Sequence, residues 1–268
     1  MLQRIITGVI SAALLILVVY LRGWVADIIL VLVSLLGCYE MHRAFGKAGL
    51  HPARGTVFGM AVLMLPAYLM MGIVGIYILG CAATLIIVLQ IALRKEPRWM
   101  DMVASLNVLV CVPVPISMIY PIIRIQPEAL GALLMFSVFA IALIGDTFAY
   151  FVGVTVGRHK MAPEVSPKKT WEGAAAGLVG SVVGALIVCK GGAVLTPMPA
   201  LWHFLLLGLV GGIAGQLGDL SASLMKRFCD IKDFGSLFPG HGGMMDRLDS
   251  VIFVAYVLFG YCMAAGLF

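Results

Sequence analysis

Charge is what this chain has least of. Asp, Glu, Lys and Arg make up only 12% of it, and hydrophobic residues make up 62%. A soluble domain carries about 25% charged residues, so a water-soluble globule is excluded and a bilayer is implied. Cysteine pairs are missing too. The six cysteines (Cys38, Cys81, Cys111, Cys189, Cys229 and Cys262) contain no CxxC spacing and mostly fall inside apolar runs. That removes a disulfide framework and a zinc site, and leaves them as small packing residues. No internal repeat is visible, which argues against transporters built from inverted repeats. No small-x-small cleavage site follows the first apolar run, which is longer than a signal peptide's core, so it reads as a retained helix. The net charge of +5 reflects topology and attraction to anionic headgroups, not nucleic acid.

Uncharged runs are present instead. About 20 apolar residues span a bilayer as a helix. Nine candidate spans follow: Ile5–Leu21, Trp24–Met41, Thr56–Met71, Ile73–Leu93, Met102–Ile123, Ala129–Val152, Gly173–Cys189, Leu201–Asp219 and Ser250–Leu267. The 39 residues from Gly55 to Leu93 carry no charge and are too long for one crossing; Gly72 and Gly75 offer a break. Pro113, Pro115 and Pro121 should bend the fifth span. With the N-terminus inside, 15 of the 18 basic residues fall on inner segments, and only Arg22, Arg124 and Lys190 on outer ones. Cytoplasmic loops are enriched in Lys and Arg. The expected fold is therefore an all-α polytopic membrane protein of nine helices, N-terminus cytoplasmic and C-terminus outside. Residues 1–124 read as a membrane scaffold and 125–268 as the catalytic region, because most of the acids and both long polar inner loops lie beyond Arg124.

Between Ser223 and Asp249 stand four aspartates, four Lys or Arg residues, one histidine and four glycines, followed by a charge-free run to Phe268. A hydrophobic core has no use for such a cluster; anions handled through a metal ion do. Depth arithmetic extends the site. Asp146 lies 18 residues beyond Glu128, so a helix rising about 1.5 Å per residue carries it roughly 27 Å across the bilayer, to the inner boundary. Asp219, counted from Trp202, reaches the same level. Asp246 and Asp249 open the last span from the inner side, on one face at i, i+3. Ionisable groups in spans are functional hypotheses by default, and gathered carboxylates suit Mg²⁺, a hard ion that bridges protein to phosphate. Ser223 and Lys226 continue the Asp219 face, and Tyr150, Gly153 and Gly157 that of Asp146. Ser166 and Pro167 are expected to cap a helix whose N-terminus, with Lys168 and Lys169, makes an anion site. The glycines of Gly240-His-Gly-Gly243 would let backbone amides approach a phosphate. Glu40 is expected to snorkel or to pair with Arg43. His42, His51, His159 and His203 read as interfacial or packing residues, and Trp24, Trp99 and Trp202 as interfacial anchors.

The Ser223–Asp249 segment resembles the signature of the phosphatidate cytidylyltransferases, the CDP-diacylglycerol synthases. Ser223, Lys226, Arg227, Lys232, Asp233, Gly235, Pro239, His241, Gly242, Gly243, Asp246, Arg247 and Asp249 stand at its fixed positions. Asp146-Thr-Phe-Ala-Tyr150 and Ser166-Pro-Lys-Lys-Thr170 with Glu172-Gly173 resemble two upstream blocks of that family. The resemblance implies conversion of CTP and phosphatidate to CDP-diacylglycerol and pyrophosphate. It also implies a homodimer that depends on Mg²⁺, with K⁺ as a second cation. The family's metal-binding aspartates map onto Asp219 and Asp246, with Asp249 and Asp146 in support. Lys226 would act in catalysis. Lys168, Lys169, Ser223, Arg227, His241, Gly242, Gly243 and Arg247 would bind substrate. The expected setting is the inner membrane of a bacterium, with the site facing the cytoplasm. Two other readings stay open: a CTP-dependent lipid kinase of the dolichol type, which would release CDP, and a cation-coupled transporter using the acids as its ion site. A CDP-alcohol phosphatidyltransferase would need a D-G-x-x-A-R pattern, which is absent.

Overall fold

The computed structural model describes residues 23–268 except 198, 239 and 241. The first expected span, Ile5–Leu21, lies outside the described residues. The described elements are the helices α1 (Gly23–Lys47), α2 (Arg54–Ala92), α3 (Trp99–Cys111), α4 (Pro113–Ser117), α5 (Ile119–Ile122) and α6 (Glu128–Thr155). A hairpin of β1 (Lys160–Ala162) and β2 (Ser166–Thr170) follows, then α7 (Trp171–Gly192), α8 (Leu201–Phe228) and α9 (Met245–Ala264). Seven helical segments among the described residues are long and apolar enough to cross a membrane, α3 to α5 counting as one. The chain is read accordingly as an integral membrane protein.

The uncharged α2 is a hairpin. Gly72 sits at φ 62° and ψ −146°, a backbone conformation open to glycine, and interrupts the helix. A Cβ at Gly75 would run into the carbonyl of Ala67, eight residues back, which a straight helix would keep far away. At the open end the Thr56 hydroxyl donates to Gln90 Oε1 at 2.7 Å. The arms 54–71 and 73–92 thus run back against each other, with the break at Gly72 as the sequence suggests. Prolines break the next segment into three short helices: Val112, just before Pro113, leaves helical geometry at φ −128° and ψ −76°.

Two compact units make up the fold. One holds the described residues up to Pro121 together with Lys226–Arg247, and the other holds Ile122–Met225 with Leu248–Phe268. In the first, Met41, Val57, Met64, Ile87 and Tyr120 form the core. Buried Asp101 ties its loops by accepting the His51 amide at 2.8 Å and the Arg94 guanidinium at 2.9 Å. In the second unit, glycines set the spacing. An added Cβ at Gly184 on α7 would lie 2.5 Å from the Ala140 carbonyl oxygen on α6, and one at Gly208 on α8 would lie 2.6 Å from Val182 Cα. Lipid tails are as apolar as leucine, so helices in a bilayer gain from such close backbone packing. Large apolar side chains such as Leu69, Tyr77, Leu85, Val154 and Leu217 point outward instead.

Two differences from the expected all-α fold bear on the site. The first is the hairpin itself: Ser166–Thr170 is a strand paired antiparallel with Lys160–Ala162. The second is the cap. Thr170, not Ser166, precedes the helix, and its hydroxyl accepts the Gly173 amide at 3.1 Å. Thr170 is buried against Gly153 and Gly157, which leave it room. The strand therefore runs right up to the helix, and Ser166 and Pro167 sit at its far end.

Candidate functional site

The polar segment begins where α8 stops. Its last turn closes with Ile231 N donating to Lys226 O at 2.9 Å and Asp230 N donating to Arg227 O at 3.1 Å. Asp230 stands at φ 49°. This is the Schellman ending, in which one left-handed residue returns two amides to the helix's last carbonyls. One of the segment's four aspartates is thereby explained by backbone geometry, since Asp tolerates that conformation better than most residues.

Lys226, in that last turn, reaches Asp246. Its Nζ stands 2.9 Å from Asp246 Oδ1, with the lysine side chain 15% and the carboxylate 4% exposed. The ammonium also lies 5.5 Å from the centroid of the Phe234 ring, within the range of a cation–π attraction. The other oxygen of Asp246 accepts the amides of Phe234 at 2.8 Å and Gly243 at 2.9 Å. Gly242, at φ 82°, lets the turn pass so close that a Cβ there would meet the same carboxylate. Hydrogen bonds to a charged acceptor contribute roughly 1.5–3 kcal/mol each, so Asp246 is a hub of its loop as well as a partner for Lys226. The next two amides, of Met244 and Met245, donate to Glu40 of α1 at 2.9 Å each. The Gly243 amide, in the glycine turn expected to approach a phosphate, is thus taken by the Asp246 carboxylate, and the Met244 and Met245 amides beyond that turn by Glu40. Arg247 is exposed. His241 lies outside the described residues.

The second unit carries the other expected residues. Lys169 Nζ lies 2.7 Å from Asp219 Oδ2, both side chains partly open at 22% and 31% exposure. Ser223, one turn further along α8, stands 3.5 Å from Asp219 Oδ1, at the limit of a hydrogen bond. Asp146 Oδ2 accepts the Ser250 hydroxyl at 3.1 Å, and Asp249 Oδ1 accepts the Ser250 amide at 2.9 Å. Asp146, Ser250, Gln216 and Ser181 line a cavity with room for about one water, not a nucleotide. Lys168, the neighbour of Lys169 on β2, is exposed, as are Arg227 and Asp146. Beneath the hairpin, Glu172 accepts the amides of Arg158 and His159 and meets His159 Nδ1 at 2.6 Å, which fixes the entry to β1.

Paired lysines and carboxylates, a glycine turn on the N-terminus of a helix, and a span-rich scaffold agree with the resemblance drawn from the sequence. Comparison with known proteins decides it: a model of the cytidylyltransferase family matches residues 2–265. The chain belongs to the cytidylyltransferase family. It is 46% identical over 114 residues to the phosphatidate cytidylyltransferase of Bacillus subtilis (strain 168), covering 42% of this chain and 41% of that protein. The phosphatidate cytidylyltransferase of Mycobacterium bovis is 38% identical over 148 residues, 55% of this chain and 47% of that protein. The uncharacterized protein YnbB of Escherichia coli (strain K12) is 44% identical over 129 residues, 48% of this chain and 42% of the relative. The matches span less than half the length of each of these curated relatives.

Carboxylate oxygens are the donors that Mg²⁺ takes. Among the described residues no three His, Cys, Asp or Glu side chains stand close enough to enclose a metal. An ion that keeps its waters needs only one or two carboxylates beside substrate phosphates. Asp219, partly open and met by Lys169, fits such a role. Asp246 fits it less freely, because three donors among the described residues already occupy it. Glu40, expected to snorkel or to pair with Arg43, is instead buried and accepts the Met244 and Met245 amides. Those amides lie 204 and 205 positions along the chain, and with Arg43 three residues away as a ready local partner nothing in the sequence pointed to them.

Proposed function

We propose that this cytidylyltransferase joins CTP to phosphatidate, giving CDP-diacylglycerol and pyrophosphate, at the cytoplasmic face of a bacterial inner membrane and as a homodimer. The observation that carries the reading is membership of the family over residues 2–265, with named relatives acting on phosphatidate. Cytidylyl transfer also separates this reaction from a CTP-dependent kinase, which would pass on the terminal phosphate and release CDP.

A phosphatidate oxygen attacks the α-phosphorus of CTP, a new P–O bond forms, and pyrophosphate departs with the electrons of the bond that breaks. The monoester phosphate is already largely ionised at pH 7, its second pKa lying near 6, so the nucleophile needs little help from a base. The protein's work is to hold two polyanions together and to stabilise the charge that collects on the leaving group. In this reading Lys226, Lys168 and Lys169 take the phosphates. The two lysines held by carboxylates, Lys169 on Asp219 and Lys226 on Asp246, are aimed beforehand and need only exchange one oxyanion for another. Asp219 and Asp246 would hold Mg²⁺, with Asp146 and Asp249 orienting ligands or a second cation, K⁺. When bound, the metal draws charge off the phosphate oxygens. Ser223, Arg227, His241, Gly242, Gly243 and Arg247 complete the substrate contacts.

Purified protein incubated with phosphatidate, labelled CTP and Mg²⁺ should form CDP-lipid and pyrophosphate, and chelation should stop it without unfolding the protein. Asp219→Asn should lower turnover at least about 100-fold, the scale of losing one electrostatic stabiliser, while remaining folded. Release of CDP with a phosphorylated lipid would establish the kinase instead, and near-normal turnover by Asp219→Asn would remove that residue from the metal site.

A further inference from the structure

Glu40 is 5% exposed, on an apolar helix where a carboxylate is costly. Each of its two oxygens accepts one amide, Oε1 from Met244 and Oε2 from Met245, both at 2.9 Å. Those amides open α9, and the first amides of a helix have no partner within it. A carboxylate there also meets the positive end of the helix dipole. The loop is shaped around it: a Cβ at Gly235 or at Gly243 would collide with the Glu40 carboxylate. Glu40 and Asp246 between them take four of the loop's amides, Asp246 taking Phe234 and Gly243. The remaining oxygen of Asp246 holds Lys226.

We infer that Glu40 is a positioning residue of the transferase site, anchoring the 234–245 backbone from α1 and thereby setting where the Lys226–Asp246 pair stands. It rests on the proposed part of that pair in cytidylyl transfer, so the test has an arm that does not depend on the reaction. Glu40→Gln keeps the shape and one acceptor oxygen but turns an NH₂ group toward the second amide, donor against donor. Glu40→Ala removes both acceptors.

Hydrogen exchange in detergent should show the Met244 and Met245 amides opening at least about 10-fold faster in Glu40→Gln, with the remainder of α9 unchanged. In the assay with phosphatidate and CTP, kcat should fall about 10-fold for Glu40→Gln and about 100-fold for Glu40→Ala, the range for residues that orient a site. KM for CTP should stay within about twofold, because a displaced pair weakens the transition state more than substrate binding. A residue that only stabilised the fold would lower the melting temperature and leave kcat of the folded fraction intact. Unchanged exchange overturns the anchor, and faster exchange with wild-type kcat overturns its coupling to catalysis. Wild-type protein that forms no CDP-lipid overturns the proposed reaction and the residue's relevance to it, while the exchange arm still decides the anchor. Where Glu40→Ala does not fold, Gly235→Ala presses on the same carboxylate from the loop side and should give the same kcat loss.

Discussion

Thr170 closes the N-terminus of α7 with one hydroxyl, accepting the Gly173 amide at 3.1 Å. Replacing an N-cap Thr by Ala costs typically about 1 kcal/mol. Here the lost methyl, packed beside Gly157, adds to that. Thr170→Ala should therefore lower stability in a detergent melt by somewhat more than about 1 kcal/mol, whereas Ser166→Ala, at the far end of β2, should stay within about 0.5 kcal/mol of wild type. The reverse order would return the cap to Ser166. The four aspartates of the Ser223–Asp249 segment illustrate the same division of labour. Asp230 closes a helix and Asp246 holds two amides and a lysine. Residue type announced anionic chemistry, but a carboxylate that binds backbone amides looks the same in a sequence as one that binds metal.

At the scale of elements, α6, α7 and α8 approach to backbone distance. Gly145, Gly177, Gly180 and Gly184 bring α6 and α7 together, and Gly208 and Gly212 bring α8 against α7. Rigid seating of α6 and α8 fixes Asp146 and Asp219 within their unit. Gly184→Leu would drive its Cβ to 2.5 Å from the Ala140 carbonyl oxygen, a backbone atom that cannot swing away. It should destabilise by about 3 kcal/mol or more, the upper range for overpacking. Gly191→Leu, near the end of the same helix with nothing within 4 Å of its Cβ, should be neutral or slightly stabilising. Comparing the two melting temperatures checks the point, and equal effects would show that helix propensity matters here and packing does not.

For the whole molecule, sidedness is the property on which the proposed reaction depends, since CTP arrives from the cytosol. The cysteine background favours a labelling test. Five of the six thiols are buried and only Cys81 is exposed; burial also pushes the Cys229 thiol up from its ordinary value, which keeps it a poor nucleophile. In a Cys81→Ser background, Glu164→Cys in the hairpin turn should react with an impermeant maleimide only from the cytoplasmic side of sealed vesicles. Ala193→Cys, beyond α7, should react only from the other side. Labelling of both from one face would overturn the proposed orientation.

Much of this could be seen without coordinates. Scarce charge and long apolar runs dictate spanning helices, because an unpaired backbone cannot cross lipid. The break at Gly72 was legible because 39 uncharged residues exceed one crossing. The Ser223–Asp249 segment carried the family, because its fixed polar positions lie close together in sequence. What only the tertiary structure decided are pairings across distance: Lys169 with Asp219, Ser250 with Asp146, and above all Glu40 with the amides of Met244 and Met245. Local pattern encodes helices because their hydrogen bonds are local. A buried carboxylate is satisfied by whichever donors the fold brings to it, and no spacing along the chain records which those are.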